Sequence, residues 1–312
     1  MKKLWFKKLL RLGPTRRDLL FQLDMGDIVL IPRDMKESRW SIFSWTPTSQ
    51  VKSFAAEEKL LSHSLSLAGT ESSLEKPACE IGLVQISEDR FINTLSIKAK
   101  THTDKNVVIL HGYGAGLGFF YRNFAPISKE SGFNLYSLDW LGMANSSRPI
   151  FPRVKRLDTV EEVVHKTEQF FVESLEDWRK VMKLEKMTLV GHSLGGYLST
   201  AYALKYPEHV EKLILVSPVG VPSLPKNYLM QPKTAFRSLV TSMWSSNITP
   251  MSVVRSMGPL GPRLVRSYTS RRFAHLDKAE LASLDSYAFH ITAQSGSGEY
   301  ALARLLLPVI DF

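Results

Sequence analysis

The chain contains little cysteine and no long apolar run, and each absence excludes a class of protein. Its single cysteine, Cys79, cannot form an internal disulfide, so a reducing compartment is favoured over secretion. Because no run of about 18 apolar residues is present, the sequence predicts no transmembrane helix. The 312 residues show no internal repeat and no cysteine–histidine cluster of the metal-binding kind. We therefore predict neither a metal nor an organic cofactor.

Acidic residues are outnumbered, with 30 Asp and Glu against 40 Lys and Arg, and the net charge is +10. No nucleic-acid fold signature accompanies this charge, so we expect attraction to anionic lipid and no nucleic-acid partner. Residues 1–17 hold seven Lys or Arg and no acid, and they predict a basic amphipathic helix that stops at Gly13 and Pro14. Such a helix lies in a membrane interface or acts as a mitochondrial presequence. A solvated basic terminus is the alternative.

A short motif in the second half of the chain is typical of a serine on a sharp turn. It consists of Gly191, His192, Ser193, Leu194 and Gly195. Residues 186–190, which are apolar at Met187, Leu189 and Val190, predict a strand before it, and residues 197–205 predict a helix after it. Side chains at both glycine positions would collide with neighbouring backbone, and the strained turn exposes the serine oxygen. The motif predicts a nucleophile elbow with Ser193 as nucleophile; a glycine-rich turn with a structural serine is the alternative.

Strand and helix patterns alternate through the middle of the chain. Strands are predicted at 80–87, 91–99, 106–110, 134–138, 186–190 and 212–217. Helices are predicted at 55–66, 119–130, 160–183 and 197–205, the third opened by a capping box at Thr159 and Glu162. The alternation predicts an α/β fold, with a mostly parallel sheet, helices on both faces and functional groups at the carboxyl ends of the strands.

Five segments are predicted along the chain. They are a basic amphipathic segment (1–17), an N-terminal extension (18–78), the α/β core (79–220), a helical cap inserted after the sixth strand (221–300) and the start of a return to the core (301–312). The last strands of the sheet are missing from this scheme. In the extension, Trp40, Phe43 and Trp45 either touch a membrane or cover the core.

The predicted cap is rich in methionine and in basic residues. Its methionines are Met230, Met243, Met251 and Met257. Flexible methionines favour a pocket for acyl chains. From residue 221 to the chain end, ten Lys or Arg stand against five acids, which favours an anionic head group. A surface subdomain with an ordinary solvated face is the alternative.

Acyl transfer also needs hydrogen-bond donors for the tetrahedral oxyanion. One is the backbone N–H after the nucleophile, at Leu194, and the second comes from the loop after an earlier strand. The sequence His111-Gly112-Tyr113 lies in that position, and we predict that the Tyr113 N–H is the second donor. We expect His111 to be structural. We expect His192 to pack beside the serine without acting as its base.

Four motifs together resemble one family. They are HGYGAG at 111–116, DWLGMA at 139–144, SSRP at 146–149 and GHSLGGYL at 191–198. They resemble the α/β-hydrolase-domain subfamily of lipid enzymes, which includes N-acyl-phosphatidylethanolamine lipases, lysophosphatidate acyltransferase-like coactivators of lipolysis and fungal mitochondrial cardiolipin-specific deacylases. Further segments are similar to the same subfamily: WTPTS at 45–49, EDWRK at 176–180, GPLGP at 258–262 and AQSGSGE at 293–299. The resemblance implies the α/β-hydrolase fold.

The acid and the base of a catalytic triad are not evident in the sequence. On this fold they follow the serine, on later strands, and only 119 residues follow Ser193. The subfamily's final Gly-His and its His-x-x-x-x-Asp motif are absent. One interpretation is a fragment whose acid and base lie beyond Phe312. The other uses His275 or His290 as base, with Asp277 or Asp285 nearby.

The resemblance implies a serine lipid hydrolase that removes an acyl chain from a glycerophospholipid. The basic N-terminus favours the cardiolipin-deacylating branch and a mitochondrial location, peripheral to the inner membrane. The expected partners are an anionic phospholipid substrate and a membrane surface; no protein partner is identified. Alternatives are a lysophosphatidate acyltransferase, another phospholipase or a catalytically inactive lipid-binding coactivator, and a cytoplasmic location on a membrane or lipid droplet.

Overall fold

The structure is a computed structural model that describes residues 30–31, 45–67, 77–129, 132–155, 157–221 and 248–306. Several sequence-based predictions fall outside these described residues. They are the basic segment 1–17, Trp40, Phe43, Met230, Met243 and the final residues 307–312. These remain predictions.

A mixed sheet forms the centre of the described chain. Its strands are β1 (Leu30–Ile31), β2 (Ser66–Leu67), β3 (Ala78–Gln85), β4 (Phe91–Ile97), β5 (Asn106–Leu110), β6 (Asn134–Leu138), β7 (Met187–His192) and β8 (Val210–Val216). The order along the sheet is β1-β3-β4-β6-β5-β7-β8, and β2 pairs with β3 outside this path. The strands β6, β5, β7 and β8 are parallel, whereas β4 runs antiparallel to β3 and β6. The prediction of a mostly parallel α/β sheet is confirmed.

Helices connect the strands and continue beyond the last one. They are α1 (Gln50–Leu61), α2 (Tyr121–Lys129), α3 (Val160–Val181), α4 (Leu194–Lys205), α5 (Pro250–Ser256), α6 (Gly261–Arg272), α7 (Lys278–Thr292) and α8 (Leu302–Leu305). Short 3₁₀ helices lie at Leu117–Phe120, Pro207–His209, Gly258–Leu260 and Gly298–Ala301. The capping box that opens α3 is confirmed: Thr159 Oγ1 accepts from the Glu162 N–H at 3.2 Å, and Glu162 Oε2 accepts from the Thr159 N–H at 2.8 Å.

Buried side chains alternate along the central strands because helices cover both faces. Val108 and Leu110 belong to the core that contains Trp178 of α3 and Tyr202 of α4. Ile109, between them in sequence, belongs to the opposite core, with side chains of α1, α2 and α7. Residues on successive positions of a strand point to opposite faces, so this pattern holds the central strands from both sides.

Three local details differ from the sequence-based prediction. Helix α1 begins at Gln50, earlier than predicted, because the Ser49 side chain caps it by accepting from the Lys52 N–H at 3.2 Å. Helix α4 begins at Leu194, directly after the serine, since the turn leads straight into the helix. The strands β1 and β2 have two residues each, too short to show any periodicity, so the strand counted sixth from the sequence is the eighth in chain order.

Candidate active site

Three loops meet at one edge of the sheet. The strands β6, β5 and β7 are parallel neighbours, so their carboxyl ends lie side by side. These ends lead into Asp139, His111 and Ser193, respectively. The loops touch: the Trp140 N–H donates to His111 Nε2 at 3.1 Å. The structure brings the three residues together at the edge where the sequence predicts functional groups; their roles remain predictions.

Ser193 occupies a strained backbone conformation between β7 and α4. Its φ is 54° and its ψ is −119°, which a non-glycine residue rarely adopts. The neighbouring glycines make the turn possible. A Cβ on Gly191 would lie 2.6 Å from the Gly195 carbonyl oxygen, and one on Gly195 would lie 2.5 Å from the His111 carbonyl oxygen. Both glycines are therefore sterically required, as the motif predicts.

The two predicted oxyanion donors lie in segments next to this serine. Leu194 is the first residue of α4, so its N–H has no acceptor within the helix. A Cβ on Gly112 would lie only 2.9 Å from Ser193 Cβ, which places the loop after β5 against the serine. Within the described chain, neither the Leu194 N–H nor the Tyr113 N–H donates to another residue. Their role as oxyanion donors remains a prediction, and both N–H groups are available to hydrogen-bond an oxyanion.

His111 is fully buried and holds the peptide between Gly112 and Tyr113. Burial lowers the pKa of His111 to about 4, so its ring is neutral at pH 7. Because Nε2 accepts from the Trp140 N–H, the proton lies on Nδ1, which donates to the Gly112 carbonyl at 2.8 Å. In a trans peptide the carbonyl and the following N–H point in opposite directions. His111 thus fixes the direction of the Tyr113 N–H, a structural role.

One of the two histidines proposed as alternative bases, His290, and both proposed acids make other contacts. His290 Nδ1 lies 2.9 Å from Thr48 Oγ1, and burial lowers the pKa of His290 to about 4. Asp285 accepts from Thr269 Oγ1 and lies 3.6 Å from Arg266, and Asp277 caps α7 through the Ala279 and Glu280 N–H groups.

All eight histidines lie in the described ranges, and none of them makes a hydrogen bond to Ser193 Oγ. His192, next to the serine, faces Phe120 with ring centroids 6.4 Å apart.

A buried polar network fixes the loops around the serine. The Asn93 side-chain N–H group donates to Glu57 Oε2 at 3.0 Å and to Asp139 Oδ2 at 2.7 Å. Asp139 also accepts from the Leu117 N–H at 2.7 Å and from the Asn145 N–H at 3.0 Å. All of these side chains are buried, so each unmade bond would be costly. Spacing along the chain did not indicate this network, because its members come from four separate elements.

An open depression lies beside the loop after β5. It encloses about 300 Å³ of empty space, including its mouth, and is lined in part by Tyr113, Gly114, Met251 and Ile291. Met251 is one of the methionines expected to form an acyl pocket, and it lies on α5. The depression is thus formed jointly by the loop after β5 and by helices of the predicted cap.

Two arginines lie at this depression: Arg148 lines it, and Arg255 binds Glu299, another of its lining residues. Arg255 binds Glu299 through two hydrogen bonds of 2.6 and 2.9 Å, and Thr249 Oγ1 donates to the same carboxylate at 2.6 Å. Burial of its hydroxyl, with the Glu299 charge nearby, raises the pKa of Tyr113 above its usual range. Arg255 and Glu299 are 44 positions apart, and only the tertiary structure pairs them.

Arg148 makes a different connection, with carbonyl groups only. Its guanidinium donates to the carbonyls of Gly142 and Ala144 in the loop after β6, at 3.3 and 3.0 Å. It also donates to the carbonyl of Ile291 in the last turn of α7, at 3.1 Å, and to that of Ser295 just after the helix, at 2.7 Å. Burial lowers the pKa of Arg148 to about 10, so the group stays charged at pH 7. This arginine connects helix α7 to the loop after β6.

Comparison with known proteins decides the family. Residues 105–289 match the family described as alpha/beta hydrolase fold. The chain belongs to the α/β-hydrolase family. This α/β hydrolase is 38% identical over 293 residues to a probable 1-acylglycerol-3-phosphate O-acyltransferase of Oryza sativa subsp. japonica, covering 86% of this chain and 67% of the relative. It is 35% identical over 228 residues to the (Lyso)-N-acylphosphatidylethanolamine lipase of Homo sapiens, covering 72% of this chain and 62% of the relative.

A third relative is also named for an activity on lipids. It is the 1-acylglycerol-3-phosphate O-acyltransferase ABHD5 of Rattus norvegicus, which is 36% identical over 230 residues, covering 72% of this chain and 61% of the relative. The predicted resemblance to lipid-acting α/β hydrolases is confirmed by these relatives. The matches span about two thirds of the relatives' length, from 61% to 67%. In the described part of this α/β hydrolase, no helix combines the length and apolar character needed to cross a bilayer.

Proposed function

We propose that this chain carries the nucleophile and oxyanion donors of a serine hydrolase that removes an acyl chain from a glycerophospholipid. The observation that carries the proposal is the backbone of Ser193, held at φ 54° and ψ −119° with Gly112 against its side chain. Such strain persists only where the surrounding structure imposes it, and it is common at active sites. Relatives named as an acylglycerol-phosphate acyltransferase and as a phospholipid lipase support a glycerophospholipid as the substrate class.

In the proposed reaction, Ser193 Oγ attacks the ester carbonyl carbon and the carbonyl oxygen becomes an oxyanion. The N–H groups of Leu194 and Tyr113 stabilise this oxyanion. When the oxyanion collapses, the ester C–O bond breaks and the lysolipid leaves as an alcohol, with the proton that the base took from Ser193 Oγ. Water then releases the fatty acid from the acyl-serine. A serine hydroxyl needs a base to become a strong nucleophile. The proposal assigns the nucleophile and the oxyanion donors to described residues, and it assigns no base among the eight histidines.

We further propose cardiolipin as the substrate to test first. Its head group is anionic, which suits a chain of net charge +10. The apolar side chains of Met251 and Ile291 in the depression suit acyl chains. A basic segment at 1–17 supports a mitochondrial location at a membrane surface, with a cytoplasmic membrane or lipid droplet as the alternative.

A fluorophosphonate probe tests the nucleophile, because it reacts with activated serines. In a form of the protein that provides Ser193 with a base, we expect the probe to label this serine, as located by peptide mass spectrometry, and we expect Ser193→Ala to abolish labelling. Ser62→Ala, which changes an exposed serine directly after α1, is the control and should label as the unchanged protein does. Cardiolipin, phosphatidylethanolamine and lysophosphatidate are then compared as substrates by release of fatty acid. Full hydrolysis by Ser193→Ala would refute the nucleophile assignment.

Acyl transfer to lysophosphatidate is the second candidate, favoured by the names of relatives at 38% and 36% identity. Both reactions pass through the same acyl-serine, and they differ in whether water or the lysolipid hydroxyl accepts the acyl group. Supplying a labelled acyl-thioester donor with lysophosphatidate separates them, since only transfer yields labelled phosphatidate. A lipid-binding coactivator would bind vesicles and give neither product nor probe labelling.

A further inference from the structure

Helix α6 presents an apolar row to solvent on its outer side. Its inner side is buried at Val265, which packs with Ala288 and Phe289 of α7. On the outer side, Leu264 is 42% exposed and Tyr268 is 59% exposed. Leu260, the last residue of the 3₁₀ helix that leads into α6, lies one turn before Leu264 and is 48% exposed. Residues four positions apart lie on the same face of a helix, so these three side chains form one row.

Unpaired positive charge accompanies this row. Residues 256–276 contain four arginines and no acid. Arg266 lies 3.6 Å from Asp285, whereas the exposed Arg263, Arg271 and Arg272 make no ion pair within the described chain. The outer face of α6 therefore combines exposed apolar side chains with uncompensated cations.

We propose that the outer face of α6, defined by Leu260, Leu264, Tyr268, Arg263 and Arg271, docks onto the surface of an anionic bilayer. A helix with an apolar row flanked by basic residues lies in the plane of a membrane interface, with its apolar side chains among the acyl chains. Arginine and tyrosine suit this position because each has an apolar body and a polar end that stays at the head groups.

The position of α6 connects the docking face to the candidate active site. It packs on α7, and Ile291 and Thr292 of α7 line the depression beside Tyr113. Docking through α6 thus brings the wall of that depression to the lipid surface. The inference stands on this surface alone and does not depend on the chemistry of Ser193.

A single-site fluorescent label tests this contact in the full chain. The only cysteine, Cys79, is 3% exposed, so Leu264→Cys provides one reactive thiol for an environment-sensitive nitrobenzoxadiazole label. We expect its emission to rise severalfold and shift to shorter wavelength with vesicles of phosphatidylcholine and phosphatidylglycerol. Leu204→Cys on α4, where the leucine is 81% exposed, is the matched control and should stay unchanged. An unresponsive label at position 264 on vesicle-bound protein overturns the inference.

Charge reversal provides a second measurement. Each basic residue near an anionic surface contributes about fivefold in affinity, so Arg263→Glu with Arg271→Glu should weaken vesicle binding by about 25-fold or more. Lys105→Glu with Lys186→Glu makes the same net change next to the amino ends of β5 and β7, and it should have a smaller effect. Equal losses in both pairs contradict a localised docking face. A label response to polyglutamate as large as that to vesicles overturns the inference in favour of an acidic protein partner.

Discussion

Gly195→Ala gives the sharpest test of the turn that carries Ser193. The new Cβ would lie 2.5 Å from the His111 carbonyl oxygen and 2.6 Å from the Leu110 carbonyl oxygen. Both atoms belong to the backbone of β5 and its loop, and they cannot rotate away as a side chain would. Overpacking in a well-packed interior costs about 1–3 kcal/mol. Two rigid contacts place this variant at the upper end, about 3 kcal/mol.

The same contact should disturb the serine more than it disturbs the fold. Relief of the clash requires the start of α4 to move away from β5, and this start contains Ser193 and the Leu194 N–H. A displacement of about 1 Å in a reacting group costs about 100-fold in rate. We therefore expect probe labelling of Ser193 to slow by about that factor while the variant still folds.

Urea unfolding followed by circular dichroism measures the first effect, and the time course of fluorophosphonate labelling measures the second. Gly132→Ala is the matched control, because no atom lies within 4 Å of the Cβ it would add. It should change neither quantity measurably. If Gly195→Ala unfolds and reacts like Gly132→Ala, the steric argument for the elbow is wrong.

Two further predictions concern stability. Glu176 binds Arg179 through two hydrogen bonds of 2.8 Å, and both side chains are buried. Because Glu176→Gln removes the counter-charge of a buried arginine, it should lower the free energy of unfolding in urea by about 3–5 kcal/mol. Glu173 lies on the same helix as Glu176, and its ion pair with Lys205 is exposed. Glu173→Gln should therefore lower the free energy of unfolding by at most about 1 kcal/mol. Equal losses in the two variants would contradict the role given to burial. Burial lowers the pKa of His111 from 6.5 to about 4, so the unfolded chain takes up a proton at a higher pH than the folded protein does. The free energy of unfolding is therefore highest above pH 6.5 and falls as the pH drops towards 4. Between pH 7 and pH 4 the free energy of unfolding should therefore fall by about 3 kcal/mol because of this residue. A free energy of unfolding that does not change over this range would contradict the neutral, buried state of His111.

Local sequence patterns predicted the central part of the fold well. The strands at β5, β6 and β7, the capping box of α3 and the sharp turn at Ser193 all depend on residues within a few positions of one another. Steric exclusion and hydrogen bonding along the chain act at that range, so these features can be derived from the sequence. The start of α1 and the two-residue strands were missed, because a single capping serine and two residues carry little pattern.

The sequence by itself determined the strand–turn–helix elbow, the predicted oxyanion loop and the alternation of strands and helices, since each follows from local sterics and burial. The tertiary structure decided what surrounds them. Only it shows His111 neutral and bonded to the Gly112 carbonyl, Arg255 joined to Glu299, and the outer face of α6 left with exposed leucines and unpaired arginines. The physical reason is that pairing and exposure depend on which distant segments pack together, and no spacing along the chain records that.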